Sequence, residues 1–188
     1  MDTSADPVQP ALPLALGVRP DEGLLTLPHL SIVEATRRLT GTPQGNDRVR
    51  SVLAYRQTLA LLGLTHGFQW LMSPAVRGPA RRSSHSVHQT DVDIVTFCRR
   101  PATATLDGAW CRFVDVNQPL LDPSRVWAGF GCRAYFVDLG LPPEAVVAQA
   151  RLWFDVLSRQ RHEMGLELIE VPLGEADDAV AARMVTWS

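Results

Sequence analysis

Apolar positions recur along this chain with two periods, one of helices and one of strands, and their order predicts a mixed fold. From Val49 to Leu62, apolar side chains at Val49, Val52, Leu53, Leu59, Ala60, Leu61 and Leu62 form a broad stripe on one side of a helix, and Gly63 stops it. A longer helix opens at Pro142-Pro143-Glu144 and runs to about Glu163, with Val146, Val147, Ala150, Trp153, Phe154 and Leu157 as its stripe. Arg159 and Arg161 suit the negative pole of its dipole. A shorter helix, Ile32 to Leu39, is announced by Ser31 and by Glu34 three residues later, a pair that can cap each other's backbone N–H groups. Asp47 is a candidate cap for the helix that follows.

β-prone runs fall between these helices. Phe68 to Met72, Val92 to Phe97 and Leu166 to Val171 read as strands. Ser73 to Pro79 is expected to leave the first strand, because Pro74, Gly78 and Pro79 cannot sit in a central ladder. Trp110 to Val116 reads as a strand, and Phe130 to Val137 as a strand or part of a helix. Leu106-Asp107-Gly108 and Asp122-Pro123-Ser124 read as turns. The acidic run Glu175-Ala176-Asp177-Asp178 reads as a solvated segment before a short terminal helix or strand. Without strict strand–helix alternation, the expected class is α+β. The expected organisation is a flexible proline-rich arm over residues 1–22, then a single domain over 23–188. That domain would be a small, mostly antiparallel sheet packed against two or three helices.

Composition narrows the function classes. The 188 residues suit one domain, and 46% apolar content suffices for a core. A net charge of −2 argues against a nucleic-acid partner, since phosphate binding needs clustered cations and the basic cluster here is only Arg77, Arg81 and Arg82. No run of about 18 apolar residues predicts a membrane span. The N-terminus is acidic and its apolar run, Ala11 to Val18, is broken by Pro13, so a cytoplasmic location is expected. Cys98, Cys111 and Cys132 have no paired spacing and are expected to be buried free thiols. Trp70, Trp110, Trp127, Trp153 and Trp187 are expected in the core. Asp115, Asp122 and Asp138 are given no role.

Candidate chemistry concentrates in Arg81 to Phe97. This stretch holds His85, His88, Asp91 and Asp93 ahead of a strand. Imidazole and carboxylate together are the donors a zinc ion takes, and a carboxylate nearby can accept a proton from the metal's water. In an extended chain His85, Asp91 and Asp93 share a face, whereas His88 does not. Glu167 and Glu170 lie three apart on the last expected strand, hence on opposite faces.

The order from Val49 to Val95 resembles the zinc-dependent D,D-peptidases of the hedgehog-like superfamily, which includes D-Ala-D-Ala dipeptidases, D,D-carboxypeptidases and murein endopeptidases. Ser73-Pro74-Ala75-Val76-Arg77 stands where that family has its arginine loop. Ser86-Val87-His88-Gln89-Thr90-Asp91-Val92-Asp93-Ile94 looks like its ligand motif. His88 to Asp93 is shorter than the family's spacing and His85 to Asp93 is longer, the motif glycine is absent, and the late Glu-x-x-His element lacks its histidine. The resemblance implies Zn²⁺ held by His85 or His88 with Asp93, and by His162 or Glu170 as third ligand. It implies Arg77 on a substrate carboxylate and Glu167 or Glu170 as general base. The substrate would be a small peptide or amide. Two alternatives stand beside this reading: a non-catalytic binding or regulatory protein on a degenerate peptidase-like fold, and a metal-dependent enzyme of another family. A non-haem iron oxygenase is disfavoured, because no His-x-Asp occurs.

Overall fold

The computed structural model describes residues 27–40, 43–74, 92–164 and 166–185. The proposed 1–22 arm lies outside them. The domain is α+β, with a four-stranded sheet in the order β3-β2-β1-β4. In chain order the elements are α1 (Ile32–Leu39), α2 (Pro43–Leu61), β1 (Gly67–Pro74), β2 (Asp93–Cys98), α3 (Asp107–Val116), α4 (Gln118–Leu121), α5 (Pro123–Phe130), β3 (Arg133–Asp138), α6 (Pro143–Met164), β4 (Leu166–Pro172) and α7 (Glu175–Val185). β1 runs antiparallel to β2 and to β4, and β2 runs parallel to β3. The strands β2, β3 and β4 therefore point one way, with β1 inserted against them. No helix among the described residues is long and apolar enough to cross a membrane.

Register assigns each side chain to a face. Leu71, Ile94, Ile169 and Val171 face α1, α2 and α7, with Trp110 of α3 and Val126 of α5 in the same core. Trp70, Met72, Val95, Phe97 and Leu168 face α6, which contributes Leu157, Trp153 and Phe154. Ala150, Trp153, Phe154 and Leu157 of the stripe read from sequence thus face the sheet, whereas Val147 is 65% exposed. Ser31 and Glu34 form the reciprocal cap of α1, with Ser31 N–H donating to Glu34 Oε2 at 2.9 Å and Glu34 N–H donating to Ser31 Oγ at 3.2 Å. The Ser31 N–H and the Ser31 hydroxyl, both donating to the Glu34 carboxylate, hold it below its usual range. Gly63, at φ 77°, turns the chain out of α2.

Several expectations are corrected. α2 starts at Pro43 rather than near Val49, so Asp47 is inside the helix and bonds Arg50. Trp110 to Val116 is helical: Trp110 stacks on Phe113 one turn on, at 5.2 Å, and a three-residue spacing places those rings together only in a helix. Asp122-Pro123-Ser124 is a helix start, with Asp122 Oδ1 accepting from the N–H groups of Ser124 and Arg125 at 3.0 Å each and Pro123 at the first position. Ser73 and Pro74 stay in β1, Pro74 as its last residue. The acidic run is the start of α7. Cys98 and Cys132 are buried, but Cys111 is exposed, and all are free thiols. Trp70 and Trp110 are buried, whereas Trp127 is 42% exposed; Trp187 lies outside the described residues. Asp138 also has a structural role, accepting from Arg100 Nε at 2.8 Å, while the Arg100 guanidinium reaches Asp107 at 2.6 Å.

Candidate functional site

The antiparallel insertion of β1 brings four chain ends together. Pro74 ends β1 beside Leu166, where β4 begins; Asp93 begins β2 beside Met72 and Arg133, where β3 begins. α6 also finishes here, since Met164 is only one residue short of β4. The 75–91 segment follows Pro74 and precedes Val92 in sequence. It carries Arg77, His85 and His88, which lie outside the described residues, as does Asp91. His162 belongs to the last turn of α6, and its side chain is likewise outside them.

Of the His/Asp stretch, Asp93 is the candidate ligand among the described residues. Parity sets it on the α6 face with Val95 and Phe97, and the parallel register sets Arg133 and Tyr135 of β3 on that face too. Burial raises the Tyr135 phenol above its ordinary range; the negative charge of Asp93 raises it further and the guanidinium of Arg133 opposes both. The three groups therefore share one electrostatic environment. The Tyr135 ring lies 4.3 Å from that of Trp153, tilted by 38°. Beside them a pocket of about 270 Å³ is lined by Pro123, Ser124, Trp127, Arg133 and Tyr135. Its shape follows from the local sequence. The Asp122 cap fixes the start of α5, and Gly131, at φ 72°, ends that helix and turns the chain into β3.

The two glutamates are held elsewhere. Glu167 pairs in register with Ser73 on the α1 face, and its carboxylate forms an ion pair with Arg38 of α1. Glu170 lies on the α6 face, where Oε2 accepts from Trp70 Nε1 at 2.9 Å and Oε1 is 3.0 Å from His29 Nδ1. Backbone bonds of Glu170 with Pro28 and Leu30, at 2.8 and 2.9 Å, secure the same contact. Asp93 and Glu170 share a face but are separated by β1 and offset by two registers, which puts their Cα atoms about 12 Å apart. Trp70 and Met72 stand between their strands. The two carboxylates do not converge on one water or one metal.

A zinc centre asks for three or four N, O or S donors. Among the described residues no three His, Cys, Asp or Glu side chains gather in that way. Asp93 supplies one suitable oxygen donor, and the described residues alone do not complete the centre. Sequence reasoning missed Arg133, Tyr135 and Ser124, and it placed Trp127 in the core. The available signal was Gly131 closing a helix immediately before an Arg-x-Tyr strand start, which aims alternate side chains to one face. No protein-family model matches the chain, and no curated protein or solved structure matches it either.

Proposed function

We propose that this protein binds a small anionic ligand at the corner formed by Asp93, Arg133 and Tyr135, and that it does so without catalysing a reaction. The observation that supports this reading best is the engagement of both candidate bases. Glu167 neutralises Arg38 on the far side of the sheet, and Glu170 is committed to Trp70 and His29. A general base has to stand within hydrogen-bond reach of the proton it takes, and neither carboxylate is at the corner. Arg133 offers a planar fork of donors that matches a carboxylate or phosphate. Ser124 and Tyr135 add hydroxyls, and Trp127 adds an apolar wall.

A second reading has its own support. Asp93, the last turn of α6 and the end of β1 at Pro74 meet at one end of the sheet, and in sequence Arg77, His85 and His88 fall between Pro74 and Asp93. A zinc D,D-peptidase-like hydrolase would draw its metal ligands from Asp93, His162 and His85 or His88. Zinc bound there would supply a water of lowered pKa, and Arg77 would hold the substrate carboxylate. One experiment separates the readings. The purified protein is assayed for zinc by elemental analysis and for D-Ala-D-Ala turnover with zinc added, beside Asp93→Ala. Equal background turnover in both, with no stoichiometric zinc, is the outcome expected for a binding protein. Turnover that depends on Asp93 overturns it and favours the hydrolase.

A further inference from the structure

We infer that the pocket beside Asp93 selects a planar ring bearing an anionic group, which it holds with the ring against the Trp127 indole and the anion at the Arg133 guanidinium; this rests on the reading of the corner as a ligand site. Four observations carry the inference. Trp127 is 42% exposed although its helix neighbour Val126 is fully buried, so α5 is anchored in the core while its indole stands at the pocket wall. Tyr135 adds a second aromatic ring to the lining, and it packs on Trp153 at 4.3 Å. Flat walls of this kind favour a flat ligand, because offset stacking keeps ring faces in contact. Arg133 is the cation lining the space, and Ser124 supplies a hydroxyl. Both can meet an anionic substituent at the ring's edge.

Size narrows the class further. At about 270 Å³ the pocket lies just below the usual range for small-molecule sites. It takes one ring with a short substituent rather than an oligomer. The N–H groups at the start of α5 are already bonded to Asp122, so the charge is met by Arg133 rather than by the helix terminus.

The test uses the full chain and isothermal calorimetry with four probes: benzoate, phenyl phosphate, benzyl alcohol and inorganic phosphate. Benzoate or phenyl phosphate should bind at least about tenfold more tightly than benzyl alcohol or phosphate. Comparison of benzoate with phenyl phosphate shows which anion the site prefers. Trp127→Ala and Arg133→Gln should each weaken the preferred probe about tenfold or more, and Trp127→Phe should retain most of the affinity. Circular dichroism and a melting curve for each variant show whether it is folded, and Trp127→Leu and Arg133→Lys serve if the stronger changes unfold the chain. The inference is overturned if the joined ring and anion bind no better than the separate pieces, or if folded variants that lack the Trp127 ring or the Arg133 guanidinium bind as native. Because no arm depends on metal or turnover, D-Ala-D-Ala hydrolysis with intact ring-anion binding would remove the non-catalytic reading alone.

Discussion

The Arg56 guanidinium grips the Asp178 carboxylate through both oxygens, with Nη2 at 2.7 Å from Oδ1 and Nε at 3.0 Å from Oδ2. The Arg56 side chain is 1% exposed and that of Asp178 19%. The remaining donors of Arg56 reach Gln69 Oε1 at 2.8 Å and the Pro172 carbonyl at 2.9 Å, and Gln69 donates onward to Thr96 Oγ1 at 2.9 Å. One hydrogen-bonded chain therefore ties α7 to α2, then to β1 and β2, with a branch to the end of β4. A buried cation is tolerable here because each group has its partner.

Asp178→Ala should destabilise the fold by about 3–5 kcal/mol, since it leaves the guanidinium buried without its counter-charge. Replacing both partners by apolar residues, Arg56→Met with Asp178→Leu, should recover much of that loss. Urea unfolding of the three proteins measures it. A loss below about 1 kcal/mol for Asp178→Ala would mean that water reaches Arg56 as readily as the carboxylate does.

This pair also shows where sequence reading succeeds and where it stops. The cap of α1, most of the α6 stripe and the strands at Phe68, Ile94 and Leu168 were legible, because each is written in neighbouring residues or in one period. Asp178 was read as solvated because a run of acids looks the same whether or not a distant cation faces one of them. The hint lay in Arg56, which interrupts the apolar stripe four residues after Val52 and three before Leu59. A charge at that position needs a partner, but its name comes only from tertiary structure. The corner was half legible in the same way. Asp93 stood out by its local cluster, whereas Arg133 and Tyr135 reach it through a parallel pairing across three intervening helices, which no local pattern records. Trp110 to Val116 pointed the wrong way because a short segment can match both periods.

Gly67→Ala should be among the most damaging small substitutions. Gly67 has φ 149°, and a Cβ there would lie 1.9 Å from the Phe97 carbonyl oxygen. The obstacle is backbone of the neighbouring strand, which cannot swing aside as a side-chain tip can. A cost of about 3 kcal/mol is expected, read as a lowered urea midpoint with the slope unchanged. Gly108→Ala is the control, with open space at its Cβ position, and should be neutral or slightly stabilising.

The thiols should separate by burial. In the native protein a thiol reagent should label Cys111 quickly and leave Cys98 and Cys132 unmodified until denaturant is added, because Cys111 is the exposed one. Mass spectrometry after brief labelling checks it, and rapid modification of Cys98 would contradict the packing at the end of β2.

Alkaline pH should weaken the fold through Cys98. Burial is the main cause of its pKa rising from 9.0 to about 11, with the Asp138 charge adding to it and a backbone hydrogen bond from His66 opposing. The folded state thus favours the neutral thiol. Its contribution is complete below pH 9 and is lost as the pH climbs through about 11, a change on the order of 3 kcal/mol. Tyr55 and Tyr135 are also shifted upward, chiefly by burial, and push in the same direction above pH 10. Cys98→Ala should therefore flatten, but not abolish, the fall in stability between pH 9 and 11, followed by urea midpoints across that range.

Glu170 should behave as a structural tie and not as a base. Its carboxylate joins Trp70 on β1 to His29 in the segment leading into α1, and the backbone on either side of His29 bonds Glu170 itself. Glu170→Gln keeps an oxygen for the indole N–H and loses only the charge toward an exposed histidine, so about 1 kcal/mol or less should be lost. Glu170→Leu removes the acceptor altogether and leaves the Trp70 N–H part-buried without a partner, which costs about 1–3 kcal/mol. Fluorescence reports the same ordering, since Trp70 lies against Phe97 at 4.6 Å and its indole environment depends on that bond. Glu170→Leu should shift the emission, and Glu170→Gln should hardly move it. Ligand affinity at the Asp93 corner should stay within about twofold in both, because some 12 Å and the β1 strand separate the sites. A large loss of affinity in a folded Glu170→Gln protein, without loss of stability, would assign that carboxylate to the site after all.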